Sequence, residues 1–166
     1  MSCNASMAAE RHGTWVLTSN PAKLSFNEEI RDARQIQLLS YRVFNAPMGA
    51  GAPLYPILYL QPKNQTLRVP SQISTEGMSN AFPLLLDGAT TVVELPHPLV
   101  LAEFADPKAP LRSLEFQVTN NLNSATTPLG QPLFSHVILH VRYITDTETR
   151  PLEMPYSSTI STIFPY

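Results

Sequence analysis

The stretch from Leu111 to Ile144 constrains this chain more than any other, because it spells two β-strands that cannot stand without partners. In LRSLEFQVT the residues Leu114, Phe116 and Val118 alternate with Ser113, Glu115, Gln117 and Thr119, the period-two pattern of a strand with one buried face. In FSHVILHVRYI, Val137, Leu139, Val141 and Tyr143 share one side while His136, Ile138, His140 and Arg142 share the other, giving a dry side and a mostly polar one. Between them, TNNLNSATTPLGQP is rich in Asn, Thr, Pro and Gly and reads as a long polar loop. Two strands joined by such a loop need further strands to cover them, either as one hairpin or from opposite sheets.

The chain supplies candidates. TWVLTS at 14–19 is a first strand ended by Asn20-Pro21. Asn27 caps a short helical turn through Glu28, Glu29 and Ile30, acidic residues being favoured at a helix N-terminus. RQIQLLSYRVF, 34–44, is a long strand whose alternation blurs at Leu39 and Tyr41, which predicts a bulge or burial on both faces. APMGAGAP at 46–53 is a loop, and LYPILYL at 54–60 with TLRVP at 66–70 predicts a hairpin across Gln61 to Asn64. For SQISTEGMSNAFPLLLDG two readings compete: a short helix over 80–86 capped by Ser79 and closed by Gly88, or a strand at 82–86. TTVVELPHPLVLAEF is an apolar strand, or two, broken at Pro96-His97-Pro98, and STISTIF near 161 is a last edge strand.

Strands near 14, 36, 56, 67, 93, 115 and 139, with the eighth near 161, predict an all-β protein. Sixteen prolines in 166 residues, roughly twice the usual share, oppose long helices and suit many strand ends. The expected architecture is an eight-stranded single jelly-roll sandwich with short helical turns in its loops. An immunoglobulin-like sandwich comes second, without that fold's paired cysteines. The length suits one domain over 1–166, with extended arms at 1–13 and 151–166.

Charged residues make up 14%, against the usual quarter or so; a neutral, loop-rich surface or one destined for burial against partners is depleted in this way. A net charge of −2 with no basic stripe argues against direct nucleic-acid binding. No apolar run has the length of a membrane span, and the start lacks the hydrophobic core of a signal peptide, so a protein kept in a reducing compartment, not secreted, is expected. Cys3 is the only cysteine, which leaves no intrachain disulfide or thiolate cluster. The sequons Asn4-Ala5-Ser6 and Asn64-Gln65-Thr66 then have no glycosylation context.

Chemistry is sparse. His136 and His140 share a strand face, yet a four-residue separation in a strand spans about 13 Å, too far for one metal held at about 2 Å. His97 sits in a stiff turn between prolines; the fourth histidine is His12. There is no GxSxG, glycine-rich phosphate loop or HExxH, and Glu28, Glu29, Glu103 and Asp106 read as solvated surface. No catalytic, cofactor or metal residues are assigned, and the chain is not expected to be an enzyme. Trp15 belongs in the core more readily than on a carbohydrate platform, because Val16 and Leu17 beside it show no purely exposed face. Tyr156, Phe164 and Tyr166 stand in a tail with no charge after Glu153, which suits docking on the domain itself or on a neighbour.

The order IQLLSYRVFNAP at 36–47, a middle section with Gly turns, then LEFQVTNNLNSATTPLG and FSHVILHVRYI, resembles the single-jelly-roll minor capsid or penton proteins of large eukaryotic DNA viruses, virophages and polinton-like viruses. The resemblance covers residues 26–144; VFNAPMGAG departs from the aromatic-Asn-Ile stretch usual in that family. It implies a structural virion protein without a cofactor, assembled in the host cytoplasm or nucleus. Its implied partners are further copies of itself in a pentamer, the major capsid protein and other minor capsid proteins. The interface residues expected on that basis are Asn45, Pro47 and Met48 in the first loop, Asn121, Leu122, Asn123 and Leu129 in the second, and Tyr156, Phe164 and Tyr166 in the tail. A carbohydrate- or receptor-binding β-sandwich module is the alternative.

Overall fold

The computed structural model describes residues 11–64, 67–70, 80–106 and 108–145. Among them there are eleven strands and no helix: β1 (Arg11–Leu17), β2 (Ala22–Ile30), β3 (Ala33–Phe44), β4 (Met48–Gly49), β5 (Ala52–Pro53), β6 (Ile57–Pro62), β7 (Leu67–Arg68), β8 (Phe82–Leu85), β9 (Thr91–Phe104), β10 (Leu111–Thr119) and β11 (His136–Thr145). They form a five-stranded sheet in the order β1-β11-β3-β9-β7, a four-stranded sheet in the order β2-β10-β6-β8, and a small ladder of β4 with β5. Every pairing is antiparallel. The result is an all-β, sandwich-like fold.

Four of the pairings are nested: β6 with β8, β3 with β9, β2 with β10, and β1 with β11. The chain thus doubles back on itself about its middle, and successive pairs fall alternately into the two sheets. This places β10 and β11 in opposite sheets, so the long loop between them crosses the sandwich at its end instead of closing a hairpin.

The alternation in the sequence determines what lies between the sheets. Val137, Leu139, Val141 and Tyr143 are buried while their neighbours on β11 are only partly so. Leu114, Phe116 and Val118 of β10 face them from the other sheet, joined by Leu58, Leu60 and Leu84. Burying each of these large side chains contributes about 1.5–3 kcal/mol. Trp15 is buried as expected; its indole N–H donates to the Tyr143 hydroxyl at 2.8 Å, and its ring packs on Phe116 with centroids 5.6 Å apart. Gly13 lets Tyr143 come this close, since a Cβ there would lie 3.0 Å from the Tyr143 hydroxyl oxygen.

A second tyrosine ties the sheets together at the other side. Tyr41 of β3 donates from its hydroxyl to the Leu85 carbonyl at 3.0 Å and accepts from the Leu85 N–H at 2.9 Å. Leu85 belongs to β8, the edge of the four-stranded sheet, so the phenol satisfies an edge residue that has no strand beyond it.

The bulge predicted in the long strand is present. His140 pairs with Ser40 and Val141 with Leu38, which leaves Leu39 without an opposite number. The break in β9 is larger: Leu38 faces Leu99 and Ser40 faces Glu94, so Leu95 to Pro98 lie outside the ladder. Two prolines without N–H groups cannot serve an interior ladder.

Several expectations are corrected. The helical turn at 27–30 is strand, because Ala22, Leu24 and Phe26 alternate into the core and the strand pairs with β10 on both sides of a bulge, through Ala22 to Ser25 and again at Ile30; a single turn nucleated at Asn27 would forfeit the pairing at Ile30. The helix over 80–86 gives way to β8, the competing strand. Asn80 has φ 60°, a left-handed backbone that does not start an α-helix, and its side chain accepts from Val69 N–H and donates to Leu67 C=O. The 54–60/66–70 hairpin does not form, since β6 lies between β10 and β8 whereas β7 pairs β9 in the other sheet. Pro62 continues β6 opposite Phe116 instead of opening a turn. The first strand begins at Arg11, inside the stretch assigned to an arm, and ends at Leu17. The strand near 161 and the tail lie outside the described residues.

Candidate interaction surface

The nested topology gathers four connections at one end of the sandwich: 18–21, 45–56, 86–90 and 120–135. Backbone bonds stitch them together. Ala46 N–H donates to Ala89 C=O at 2.9 Å, Leu86 N–H to Pro56 C=O at 2.8 Å, and Ser135 N–H to Phe44 C=O at 2.8 Å.

Asparagines organise the end. Asn120 is fully buried at the exit of β10; its Oδ1 accepts from Leu122 N–H at 2.9 Å and Ser124 N–H at 3.0 Å, and its Nδ2 donates to Thr126 C=O at 3.3 Å. One amide side chain therefore substitutes for the strand that the turn has left behind. Asn20 does the same from the opposite connection, accepting from Val118 N–H at 2.9 Å and donating to Val118 C=O at 2.7 Å. Between Met48 and Pro53 the chain makes a tight hairpin with Ala50 and Gly51 at φ 53° and 82°. Two central residues with positive φ suit the twist of antiparallel strands, and Gly51 adopts its position without strain.

Of the expected interface residues, Asn45, Pro47, Met48, Asn121, Leu122, Asn123 and Leu129 all lie on this end. Leu129 is 85% exposed, Leu122 70% and Met48 45%, with Leu54 beside them at 47%. Asn45 Nδ2 donates to Ser135 Oγ at 3.0 Å, Asn123 Oδ1 accepts from Gln61 Nε2 at 3.1 Å, and the Pro47 carbonyl accepts from Leu54 N–H at 2.8 Å. Asn121 is exposed and Pro47 half-buried. Tyr156, Phe164 and Tyr166 lie outside the described residues. Sequence reasoning missed connections 18–21 and 86–90, whose signals, Ser19-Asn20-Pro21 and Asp87-Gly88, mark turns without saying which end they occupy.

Charge divides the molecule. Across these four connections Asp87 is the only charged residue. The opposite end carries Arg31, Asp32, Arg34, Asp106, Lys108 and Arg112, with Glu29 bridging Arg31 and Arg112 at 3.2 Å each. The Arg112 hydrogen bond, aided by Arg31, holds the Glu29 carboxyl below its ordinary pKa against a smaller opposing effect of desolvation.

Among the described residues the side chains able to do chemistry are dispersed. His136 stacks on Phe44 with centroids 4.1 Å apart. His12 and His140 line a shallow cleft of about 260 Å³ with Thr14, whose Oγ1 lies 3.2 Å from His140 Nδ1. Among the described residues no three of His, Cys, Asp and Glu meet as a metal set. A larger cleft of about 520 Å³ runs between the edge strands β1 and β2, walled by Trp15, Val16, Leu24, Phe26 and Tyr143. Burial pushes the Tyr143 hydroxyl pKa up, partly offset by the Trp15 bond. That wall offers packing and edge backbone, without a paired acid and base.

No protein-family model matches the chain, and a search of curated proteins returns no significant relative. Among the described residues no helix is long and apolar enough to cross a membrane.

Proposed function

We propose that this chain is a structural capsid protein built on a single eight-stranded jelly roll, one that assembles as a pentamer at a penton or minor position beside a major shell protein. The observation that carries the reading is the strand order. With the three two-residue strands β4, β5 and β7 set aside, the remaining eight in chain order take the sequences 1-8-3-6 and 2-7-4-5 in the two sheets. That order supports the jelly-roll reading, in which a long doubled hairpin is rolled into a sandwich as two Greek keys.

A fold alone does not imply a function, and the surface supplies the rest. The loop end is poor in charge, exposes leucines and is internally bonded, features of a surface meant for protein contact. The resemblance of segments 36–47 and 114–144 to single-jelly-roll capsid proteins points the same way. Among the described residues no three of His, Cys, Asp and Glu meet as a metal set.

The test is the mass of the purified full chain, alone and mixed with a candidate major shell protein, by native mass spectrometry and electron microscopy. A ring of five copies, or incorporation into shell-protein particles, is the expected outcome. A chain that stays monomeric and ignores shell proteins overturns the reading.

A further inference from the structure

We infer that copies of this chain meet around their symmetry axis through the loop end, with the charged end turned away from it. The inference rests on the assembly reading and goes beyond it by assigning the surface and its occupant, a second copy of the same chain.

The argument is one of symmetry. In a closed ring each side chain near the axis faces its own copies at the same radius. A charge placed there is repeated in every subunit, and each pair of like charges costs about 1 kcal/mol at 4 Å even in bulk water. The opposite end, with Arg31, Arg34, Lys108 and Arg112 beside Glu29, Asp32 and Asp106, would bring together such repeats of both signs. The loop end would bring together only Asp87, which stands in a short turn whose N–H is held by Thr91 Oγ1 at 3.1 Å.

The same end supplies what an axial contact needs. Leu122 and Leu129, the two most exposed large apolar side chains among the described residues, project from it with Met48 and Leu54. Of the other exposed apolar groups, Val16, Leu85 and Val92 stand on strands where these enter or leave the same end and Leu99 stands in the body of β9. The loops are also preorganised. Asn20, Asn45 and Asn120 fix three of the four connections by side-chain bonds, so docking orders little that was free beforehand.

The experiment is sedimentation velocity over a concentration series on the full chain and on Leu129→Glu, Leu122→Glu and Leu99→Glu. Leu129 and Leu122 are so exposed that the glutamates should leave folding intact, and thermal midpoints verify this. Leu99, 42% exposed and opposite Leu38 in the body of β9, is the control away from the end. Each loop-end variant should raise the concentration of half-assembly at least about tenfold, and Leu99→Glu should leave it within about twofold. If Leu129→Glu loses fold stability, Leu122→Glu decides alone. Unchanged assembly in the loop-end variants, or loss confined to Leu99→Glu, overturns the axial placement while the assembly reading stands. Co-assembly with a shell protein by a chain that forms no ring with itself overturns this inference alone; failure of both overturns the two together.

Discussion

At the scale of single residues, the polar groups that the sequence leaves among apolar neighbours turn out to be joints. Tyr41 blurs the alternation of its strand, and the structure explains why: its ring belongs to the core while its hydroxyl reaches across to the backbone of Leu85. Replacing it by Phe removes both bonds at constant packing, and should cost about 1–2 kcal/mol in denaturant unfolding. Its titration gives a second measurement. Burial, and to a lesser extent the negative charge of Asp87, raise the Tyr41 pKa against the lowering effect of the Leu85 bond, and burial raises that of Tyr143. A raised pKa means the folded state keeps a proton the unfolded chain would release. The stabilisation is therefore complete below the unfolded value of about 10 and is lost as pH climbs through the folded values. The denaturation midpoint should fall through the alkaline range, and fall less steeply in Tyr41→Phe. An equal slope in the variant would remove Tyr41 from that account.

At the scale of elements, legibility followed local pattern and ended where pairing took over. The faces of β10 and β11 and the bulge at Leu39 were readable because alternation and its failure are local. β2 was not, since AKLSFNEEI alternates only through Phe26 before acidic residues imitate a helix start. FPLL in β8 was ambiguous, because four apolar residues with a proline carry no period; its partner β6 decides it. The false hairpin after β6 arose because Pro62, Lys63 and Asn64 look like a turn, whereas Asn64 in fact accepts from Glu115 N–H at 2.8 Å and extends the sheet. The loops at 46–53 and 120–132 were legible from composition, but their meeting at one end is a consequence of nested pairing over long separations, which no window of sequence contains. The loop after β10 also yields a prediction. Asn120→Ala leaves the N–H groups of Leu122 and Ser124 without their acceptor at a buried position, and should cost about 2–3 kcal/mol. Amide exchange at those two positions should quicken before global unfolding; unchanged protection there would show that the loop is held by other means.

At the scale of the whole molecule, the separation of charge between the two ends governs how assembly should answer to salt. A contact made through the end bearing Arg31, Arg34, Lys108, Arg112, Glu29 and Asp106 would be built from exposed charges, whose interactions weaken as the screening length falls from roughly 10 Å at 0.1 M to about 3 Å at 1 M salt. A contact made through the loop end has Asp87 as its only charged residue and derives its free energy from covering Leu122, Leu129, Met48 and Leu54. Burial of that kind is not weakened by salt and is strengthened by sulfate or phosphate. Raising sodium chloride from about 0.1 M to 1 M should therefore shift the concentration of half-assembly by less than about threefold, and replacing chloride by sulfate should lower it. Dissociation of the ring by a tenfold or larger factor in sodium chloride would assign the contact to the charged end, because only opposite-sign pairs between copies, such as Glu29 or Asp106 against an arginine, carry that dependence. The two ends of the sandwich thus make opposite predictions from the same sheets, and the difference between them is set by which four connections the nested strand order brings together.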